Sequence, residues 1–460
     1  MEVYHIFYDA ICNIISDLNN LLWGFGTVLF VFGAGIFFTI RIKGFNVIHI
    51  VHTFRSTLFR KKSSEEASGS GTISQFQALS TALAASMGTG NIVGVAAAIS
   101  VGGPGAIFWM WISALFGTAL AFAENVLGVK YKNPQNPKAT GPMSYISEGL
   151  GCHAFAVIYA AVCLLASFGI GNMTQTNAIA SAASEIGVSP VFAGAIAAIF
   201  CGAIIFRGAK KTAAAAEKII PAISLLYFAA AVAVMVIFRN NIAETLKLIF
   251  SSAIGYSPVA GGILGAAIKK SISVGLRRGV FSNESGMGSS VLVHTETDCT
   301  EPVQMGMWAI AEVVIDTIIC CSLTAFVILL TGAESCGSEG LAMAAEGFRR
   351  GLGKYAAVFV AVSAMIFAFC TLLGWYFYGE KCLIFITKRK NRKRALFVFR
   401  TAYTAAAFIG ALSELSLIWN VADIFNWLML IINLFSIIVL SSEATECARN
   451  YTKRVFKKGK

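Results

Sequence analysis

The sequence predicts an all-α membrane protein that crosses the bilayer many times. Of its 460 residues, 57% are hydrophobic and only 13% are charged, and the mean hydropathy is +0.72. Apolar runs able to cross about 30 Å of hydrocarbon, which takes roughly 20 helical residues, recur from near residue 20 to near residue 440. Because no soluble domain fits between these runs, we expect a single helical membrane unit.

Length and hydropathy together predict eleven membrane spans. The N-terminus begins with an acid and lacks the basic segment and the small-residue cleavage site of a signal peptide, so we expect the first span to be retained. The predicted spans cover residues 20–40, 75–100, 104–128, 145–182, 190–206, 213–238, 256–290, 302–331, 355–387, 396–416 and 419–443.

The distribution of basic residues indicates how the spans are oriented. If the N-terminus lies outside, the inner segments hold 26 of the 36 Lys and Arg residues, although the inner segment at 291–301 has none. This excess follows the positive-inside rule and predicts a plasma-membrane protein with a cytoplasmic C-terminus. The net charge of +12 therefore marks orientation. The basic runs at 388–394 and 454–460 fit anionic lipid headgroups better than nucleic acid.

The residue patterns of enzymes and of metal proteins are missing from the sequence. Eleven cysteines stand mostly alone in apolar segments without a CxxC pair, so we interpret them as small buried side chains. His294 lies near Ser289 and Glu296 in a predicted inner loop, but no nucleophile elbow or metal spacing accompanies them. We therefore expect no catalytic activity, no organic cofactor and no obligate protein partner.

The second predicted span is interrupted by glycine at its centre. Its residues 86–94 read SMGTGNIVG, and Gly88 and Gly90 permit non-helical backbone there. In hydrocarbon, an unwound helix is tolerated only against protein or around a polar cavity. Its free amides suit a carboxylate, and its free carbonyls suit a small cation, aided by the side chains of Ser86, Thr89 and Asn91. The alternative is a close helix crossing through small residues.

A second interruption stands five spans later, in a span of opposite orientation. Residues 277–290 read RRGVFSNESGMGSS, with glycines at 279, 286 and 288. Paired broken helices in two halves of a membrane protein indicate the central site of a secondary transporter. We therefore divide the chain into an extra N-terminal helix and basic loop, two five-span repeats and a basic tail, at 1–74, 75–240, 241–445 and 446–460.

Polar side chains in spans four and nine are the further candidates for this site. Asn172 and Gln175 share a helix face with Thr176, and we expect them to line a polar pocket, although membrane amides also staple helices together. In span nine, Thr371 and Trp375 share a face, where a hydroxyl and an indole suit a small-solute pocket. The alternative is a packing Thr and an interfacial aromatic.

Acidic residues inside the spans point to ion coupling. Intramembrane carboxylates are costly and are functional candidates by default, and the sequence has them at Glu124, Glu312, Asp316 and Asp423. Glu124 is close enough to Lys130 for simple pairing. Together, the two breaks contain one formal charge beyond the flanking arginines, that of Glu284. A nearly neutral cleft suits a zwitterion better than a phosphate.

Several long motifs in this order resemble the alanine or glycine:cation symporters, also called sodium:alanine symporters, of the amino acid-polyamine-organocation superfamily. The resemblance covers nearly the whole chain. Its strongest stretches are SMGTGNIVGVAAAISVGGPGAIFWMW with FAENVLGVKYK (86–132), GPMSYISEGLG (141–151), GIGNMTQTNAIA (169–180), RGVFSNESGMGSS (278–290), EPVQMGMWAIAEVVIDT (301–317) and GWYFYGE (374–380).

This resemblance implies a leucine-transporter-type fold, in which two inverted five-helix repeats follow one extra helix, and alternating access driven by a sodium gradient. It implies that the amides of Thr89 and Gly90 hold the substrate carboxylate. Around the rest of the substrate it places Gln175, Phe281, Ser282, Thr371 and Trp375. For sodium it implies Ala84, Met87, Phe367, Cys370 and Thr371, and it leaves open a second ion site at Ser86 and Asn91.

Two departures from the family pattern bear on these expectations. Cys370 stands where the family usually has a hydroxyl residue, and thiols are poorer sodium ligands than hydroxyls, so this change affects the strength or stoichiometry of the sodium site. Span eleven lacks the glycine usual after Asn426 and the proline usual before Asn433. The second change bears on helix bending.

The sequence therefore predicts a sodium-coupled symporter that imports a small neutral amino acid, alanine or glycine. A proton-coupled carrier of another small solute is the alternative within transport, with Glu312 or Asp316 as the titrating group. A sensor that binds an amino acid without net flux is the alternative outside it. The absence of a large cytoplasmic signalling domain from the sequence speaks against the sensor.

Overall fold

The computed structural model of the chain describes residues 13–59, 73–255, 261–413 and 415–456, and this part is helical with no strand. The start of predicted span seven, part of the first inner loop and the end of the basic tail lie outside the described residues. Confirming the predicted class, the structure is that of an all-α protein with its polar and apolar side chains buried between long helices.

The described helices of nine or more residues are numbered in chain order. They are α1 Phe25–Arg41, α2 Gln75–Ser86, α3 Val93–Gly102, α4 Gly105–Lys130, α5 His153–Phe168, α6 Thr174–Glu185, α7 Pro190–Ile205, α8 Ala209–Ile237, α9 Ile242–Ile254, α10 Gly261–Asn283, α11 Pro302–Val313, α12 Ser322–Leu330, α13 Gly340–Leu352, α14 Ala356–Ile386, α15 Arg392–Leu412, α16 Leu415–Val439 and α17 Ser441–Phe456.

Short helical turns join some of these helices into longer rods. A π-helical turn at Gly169–Met173 joins α5 to α6, and another at Val314–Cys321 joins α11 to α12. Each such turn inserts a residue into the α-helical ladder, and π-helical turns are frequent at functional sites. Both turns lie in spans that the sequence marked for buried polar residues.

Eight helical stretches in the described residues are long and apolar enough to cross a membrane. They match predicted spans one, three, four, six and eight to eleven, and the chain is therefore a multi-pass membrane protein. Predicted span five is a shorter apolar helix, α7, and the count of eleven stays a prediction. The eight stretches are Asn13–Arg41, Gly105–Lys130, His153–Glu185, Ala209–Ile237, Pro302–Leu330, Ala356–Ile386, Arg389–Leu412 and Trp419–Val439.

The first predicted interruption is present in the structure. Helix α2 begins at a capping box, in which Ser74 and Gln77 satisfy each other's backbone amides, and it ends at Ser86. A 3₁₀ turn over Thr89–Asn91 follows before α3 starts at Val93. Predicted span two is thus two half-helices around a non-helical centre.

The second interruption is shorter than the sequence predicts. We expected it to include Gly279, but α10 continues unbroken to Asn283. A Cβ on Gly279 would lie 2.6 Å from the Ser113 Cβ of α4, so this glycine permits two helices to pack closely. The interruption itself spans 284–290, where Gly286 and Gly288 have φ values of +87° and +75°.

The Glu124 carboxylate of α4 holds this second interruption in place. Its oxygens accept hydrogen bonds from the amides of Gly286 at 3.4 Å and Gly288 at 3.1 Å. The Asn433 amide of α16 donates to the same carboxylate at 2.7 Å and to the Gly286 carbonyl at 2.7 Å. The suggested pairing of Glu124 with Lys130 is wrong, because Lys130 pairs with Glu443 of α17.

The first prediction concerns this carboxylate. Glu124→Gln keeps the side-chain volume but turns an NH₂ group toward amide donors, leaving buried polar groups unpaired. We expect the free energy of unfolding to fall by about 1–3 kcal/mol, the usual cost of an unsatisfied buried group. The measurement is the melting temperature of the purified protein in detergent micelles.

The matched control for this prediction is Lys130→Gln, which removes the partially exposed ion pair with Glu443. Such pairs contribute only about 0–1 kcal/mol, so the melting temperature should change little. Equal losses in the two variants, or a stable Glu124→Gln variant, would contradict the role given to Glu124.

Candidate functional site

The first interruption lies directly against two polar side chains from other helices. A Cβ on Gly88 would be 2.5 Å from the Thr371 Oγ1 of α14 and 3.1 Å from the Gln175 Oε1 of α6. Real Cβ atoms do not approach other atoms to 2.5 Å, so only glycine fits this point. The structure thus brings together three of the residues that the sequence assigned to the substrate site.

Thr89 and Gly90 begin the 3₁₀ turn beside this contact. The first amides of a helical turn have no acceptor within that turn, so these two N–H groups are open to an outside acceptor. Thr89 Oγ1 donates a hydrogen bond to Gln175 Oε1 at 3.4 Å. Around a Cβ built on Gly90, no other part of the described structure comes within 4 Å. The turn therefore has open space on the side where a Cβ of residue 90 would point.

The Gln175 side chain has a fixed orientation. Its Nε2 donates to the carbonyl of Ile170 at 3.1 Å, inside the π-helical turn, and this bond turns Oε1 toward Thr89 and Gly88. Gln175 is only 4% exposed, so its amide is held between the first interruption and the π-helical turn. A fixed buried amide of this kind can orient a bound polar ligand.

Trp375 lies one turn beyond Thr371 on α14 and connects this helix to the second interruption. Its indole Nε1 donates to Glu284 Oε1 at 3.2 Å, and Ser289 Oγ donates to Glu284 Oε2 at 2.6 Å. Glu284 has a φ of +52°, unusual for a residue with a side chain. The sequence marked Glu284 only as the lone charge of the break, and its contact with Trp375 was missed.

Asn172 does not join this group. It lies in the π-helical turn, and its Nδ2 donates to the carbonyl of Tyr403 on α15 at 2.7 Å. Thr176 bonds back to the carbonyl of Asn172, and Asn177 donates to the carbonyl of Ser413 at 2.7 Å. The contacts of Asn172 are those of a helix staple, the alternative that the sequence left open.

Phe281 and Ser282 occupy the last turn of α10 and face different surroundings. The Ser282 hydroxyl is 2% exposed and bonds to Asp316, whereas the Phe281 ring lies 5.8 Å from that of Trp419. Phe281 borders a polar cavity of about 240 Å³ that also contains the Arg277–Asp423 ion pair at 3.0 Å. This pairing accounts for Asp423, one of the acids predicted within spans. The cavity is lined by Asn19, Asn20, Arg277, Arg278, Phe281, Trp419, Asn420 and Asp423.

The residues proposed for sodium lie in one buried cluster at the end of α2 and along α14. Ala84, Met87, Phe367 and Cys370 pack together there. The Gly88 amide bonds to the carbonyl of Ser86 at 2.8 Å, so it does not continue the helix to Ala84. This leaves the Ala84 carbonyl without its helical donor. Thr371 Oγ1 donates a hydrogen bond to the Phe367 carbonyl at 3.2 Å, which places the Thr371 hydroxyl beside the Phe367 carbonyl.

A second polar cluster surrounds Asp316 in the π-helical turn of span eight. Its carboxylate accepts hydrogen bonds from Asn91 at 2.9 Å, Ser282 at 2.7 Å and Thr317 at 2.8 Å. The cluster thus joins the first interruption and the last turn of α10 to span eight. Within the part of the chain that the structure describes, Ser86 Oγ and Asn91 Oδ1 are buried without a hydrogen-bond partner.

Glu312 belongs to a separate pair. His294 Nε2 lies 2.9 Å from Glu312 Oε2, and both residues are buried, with side-chain exposures of 0% and 3%. We predicted a loop at His294, but this residue instead ends the short helix Val291–His294, which packs inside the protein. Glu312 and Asp316 have different partners, although they stand four residues apart. Among the described residues, no group of three or more His, Cys, Asp and Glu side chains could hold a metal ion.

The candidate site is enclosed. Gln175, Ser282, Thr371 and Trp375 are each less than 5% exposed. Beyond the second interruption and the short helix Val291–His294 that follows it, Lys381 of α14 pairs with Glu296 at 2.7 Å. Access to these side chains therefore requires a rearrangement of the surrounding helices.

Comparisons with known proteins identify the family of this chain. A family model described as the sodium:alanine symporter family matches residues 8–460. The sodium/alanine symporter AgcS of Methanococcus maripaludis is 37% identical over 93% of this chain and 94% of its own. The probable sodium/glutamine symporter GlnT of Bacillus subtilis is 37% identical over 96% and 91%. A putative sodium/proton-dependent alanine carrier protein of the same species, YrbD, is 33% identical over 96% and 92%.

These matches extend over nearly the whole chain and include the interrupted helices. The family is one of transporters, not enzymes. The chain belongs to the sodium:alanine symporter family.

Proposed function

We propose that this protein is a sodium-coupled symporter that imports a small neutral amino acid, alanine or glycine, by alternating access. The observation that carries the proposal is the meeting of Gly88, Gln175 and Thr371 at the first interruption. Open backbone amides, a fixed side-chain amide and a hydroxyl converge there in an enclosed setting. Relatives named for alanine and for glutamine support an amino acid as the substrate class.

The substrate carboxylate binds the amides of Thr89 and Gly90, at the turn that precedes α3. A helix start favours negative charge because its N–H groups and dipole point toward the ligand. Gln175 and Trp375 flank the substrate, and Thr371 limits its side chain. The close contact between Thr371 and Gly88 leaves little space, which favours alanine or glycine over a longer side chain.

Sodium binds where α2 ends against α14. Its ligands are the carbonyls of Ala84, Met87 and Phe367 and the hydroxyl of Thr371, with Cys370 beside them. Freed carbonyls of broken membrane helices are the usual sodium ligands in secondary transporters. This ion lies close to the substrate carboxylate and offsets its charge, so each ligand favours binding of the other.

A second cation site at Ser86 and Asn91 gains support from Asp316. The buried Oδ1 of Asn91 and Oγ of Ser86 lack partners among the described residues, and Asp316 supplies a carboxylate next to them. Hard oxygen donors with one negative charge suit a small monovalent cation. Ser282, which also bonds to Asp316, extends this site to the last turn of α10, just before the second interruption.

The chain works as two inverted five-helix repeats, residues 75–240 and 241–445, after the extra N-terminal helix at 1–74 and before the tail at 446–460. The N-terminus lies outside the plasma membrane and the C-terminus lies in the cytoplasm. The cavity beside Phe281, closed by the Arg277–Asp423 pair, is then the outer entrance. Lys381 and Glu296 lie on the inner route and must separate for release.

One observation favours proton coupling as the second candidate. Glu124, Glu284, Glu312 and Asp316 are buried, and none of them pairs with Lys or Arg in the described part of the chain. Buried carboxylates without a cationic partner readily bind protons. The putative sodium/proton-dependent carrier among the relatives fits this alternative.

The second prediction tests the proposal and separates the two candidates. Purified protein in proteoliposomes should accumulate radiolabelled alanine or glycine when an inward sodium gradient is imposed, because the ion site is formed together with the substrate site. A proton gradient without sodium should drive no accumulation. Uptake that ignores sodium, or that needs only the proton gradient, would rule out sodium coupling.

The third prediction concerns the close contact at the first interruption. In Gly88→Ala, the new methyl group would meet Thr371 Oγ1 at 2.5 Å, and the turn must move. Sodium-driven uptake should fall by more than about tenfold, because a loss of about 1.4 kcal/mol in binding free energy lowers affinity by a factor of ten. The measurement is the initial rate of uptake in proteoliposomes.

Gly94→Ala is the matched control, because a Cβ at Gly94 meets no heavy atom within 4 Å. Gly94 lies in α3, and alanine has a higher helix propensity than glycine. Uptake by Gly94→Ala should stay near that of the natural protein. Similar losses in both variants, or full activity of Gly88→Ala, would refute the placement of the site.

The fourth prediction addresses the thiol at the sodium site. Cys370→Ser replaces a weak ligand with a hydroxyl of similar size. The sodium concentration for half-maximal uptake should fall by roughly three- to tenfold, which corresponds to about 0.7–1.4 kcal/mol of ion binding. The control is Cys201→Ser, at another fully buried cysteine in a different apolar cluster. This variant should leave the sodium concentration for half-maximal uptake unchanged. An unchanged sodium requirement in Cys370→Ser would place the ion elsewhere.

A further inference from the structure

A basic cavity lies away from the candidate transport site, between the end of α1 and the C-terminal helix α17. Its volume is about 290 Å³. Arg41 and Lys43 line it from the α1 side, and Arg449 and Lys453 line it from α17. These are two chain segments that are some 400 residues apart in the sequence, so the fold itself assembles the four cations.

The four cations have no acidic partner in the cavity. No Asp or Glu lines it, and within the described residues none of the four forms an ion pair. Of the two acids on α17, Glu443 is engaged by Lys130. Glu446, three residues before Arg449, does not line the cavity, and within the described residues it forms no ion pair with the four cations. Like charges that face one cavity repel each other. An anion with more than one oxygen acceptor would therefore be held there strongly.

The backbone at Lys43 places this residue at the cavity in a strained, left-handed conformation. Lys43 has a φ of +56° and Gly44 one of +67°, so the chain turns sharply after α1 through two left-handed residues. A non-glycine residue in this region costs on the order of 1 kcal/mol. His49 also borders the cavity, and burial lowers its pKa, so at neutral pH the positive charge comes from the lysines and arginines.

The surroundings of the cavity are those of a membrane interface. Helix α1 belongs to a membrane-spanning stretch that ends at Arg41, so the cavity lies where the chain leaves the hydrocarbon. Ile40, Ile48 and Val51 project from the same region with exposures of 71%, 70% and 62%. Exposed aliphatic side chains beside basic ones are typical of surfaces that contact lipid. The floor of the cavity is apolar, since Ile42 and Phe45 are buried.

We propose that this cavity binds the phosphate headgroup of an anionic phospholipid, whose acyl chains lie over the exposed Ile40, Ile48 and Val51. Basic pockets between helices at the membrane surface recognise such headgroups. A free phosphate ion would satisfy the cations but leave the adjacent aliphatic surface uncovered. The inference uses only the position of the cavity in a membrane protein, and it does not rest on the proposed transport activity.

The experiment is a lipid-binding measurement on the full-length protein purified in neutral detergent. Phosphatidylglycerol, with phosphatidylcholine as the neutral comparison, is titrated in, and the bound lipid is counted by native mass spectrometry. The cavity variant carries Arg41→Gln, Lys43→Gln, Arg449→Gln and Lys453→Gln. The control variant loses four exposed charges from another predicted inner segment, through Arg207→Gln, Lys210→Gln, Lys211→Gln and Lys218→Gln.

The cavity variant should bind phosphatidylglycerol at least roughly tenfold more weakly than the natural protein, since each basic residue near a lipid surface contributes about 1 kcal/mol. The control variant should retain that binding, and phosphatidylcholine binding should be the same in all three proteins. Equal loss in the cavity and control variants would show general charge attraction and overturn the proposal. Undiminished binding by the cavity variant would overturn it as well.

Two further arms keep the result interpretable. Arg41→Lys with Arg449→Lys keeps all four charges and should retain selectivity for phosphatidylglycerol, so it separates loss of the site from loss of folding. A large excess of inorganic phosphate should leave the bound lipid in place. Displacement by inorganic phosphate would identify a free-anion site and contradict the lipid assignment. Transport is not measured in any arm, so failure here is distinct from failure of the proposed symport.

Discussion

The satisfaction of backbone polar groups inside the membrane is the constraint on which this structure depends. Each unpaired N–H or C=O in hydrocarbon costs several kcal/mol, so a helix is interrupted only where other groups replace its lost hydrogen bonds. The described part of the chain has two such interruptions, around Thr89–Asn91 and at residues 284–290. The helices around them are arranged so that side chains from elsewhere in the sequence reach both.

The two interruptions are satisfied in different ways, and the difference separates support from binding. At the second, the Glu124 carboxylate accepts hydrogen bonds from the amides of Gly286 and Gly288, and Asn433 donates to that carboxylate and to the Gly286 carbonyl. This segment is therefore held by the protein itself. At the first, Gln175 and the Thr371 hydroxyl lie close to Gly88, and the leading amides of the 3₁₀ turn have no acceptor within that turn. The first interruption is therefore the one suited to a ligand, and the second serves as its fixed support.

Sequence patterns predicted the interruptions because glycine acts locally, but they could not predict tertiary partners. Periodicity put Asn172 and Gln175 on one face, yet the π-helical turn at Gly169–Met173 inserts a residue and changes the face on which Asn172 lies. The assignment of Gly279 to the break failed for a related reason, since a glycine that permits close packing against Ser113 looks the same in sequence as one that ends a helix. Likewise, the pairs Glu284–Trp375 and His294–Glu312 join separate parts of the chain, and no local pattern specifies them.

The separation of the two polar clusters bears on how ion and substrate binding are linked in the proposed symporter. The ligands proposed around Ala84, Phe367 and Thr371 are neutral, so a cation there would gain its counter-charge from the substrate carboxylate proposed at Thr89 and Gly90. Such mutual stabilisation is reciprocal, because a coupling free energy between two ligands acts equally on both. Asp316 supplies its own charge to the other cluster, so a cation bound there needs no substrate. In the proposed symporter, coupling between gradient and substrate would therefore belong to the neutral cluster, and Cys370, which lies within it, would modulate its strength.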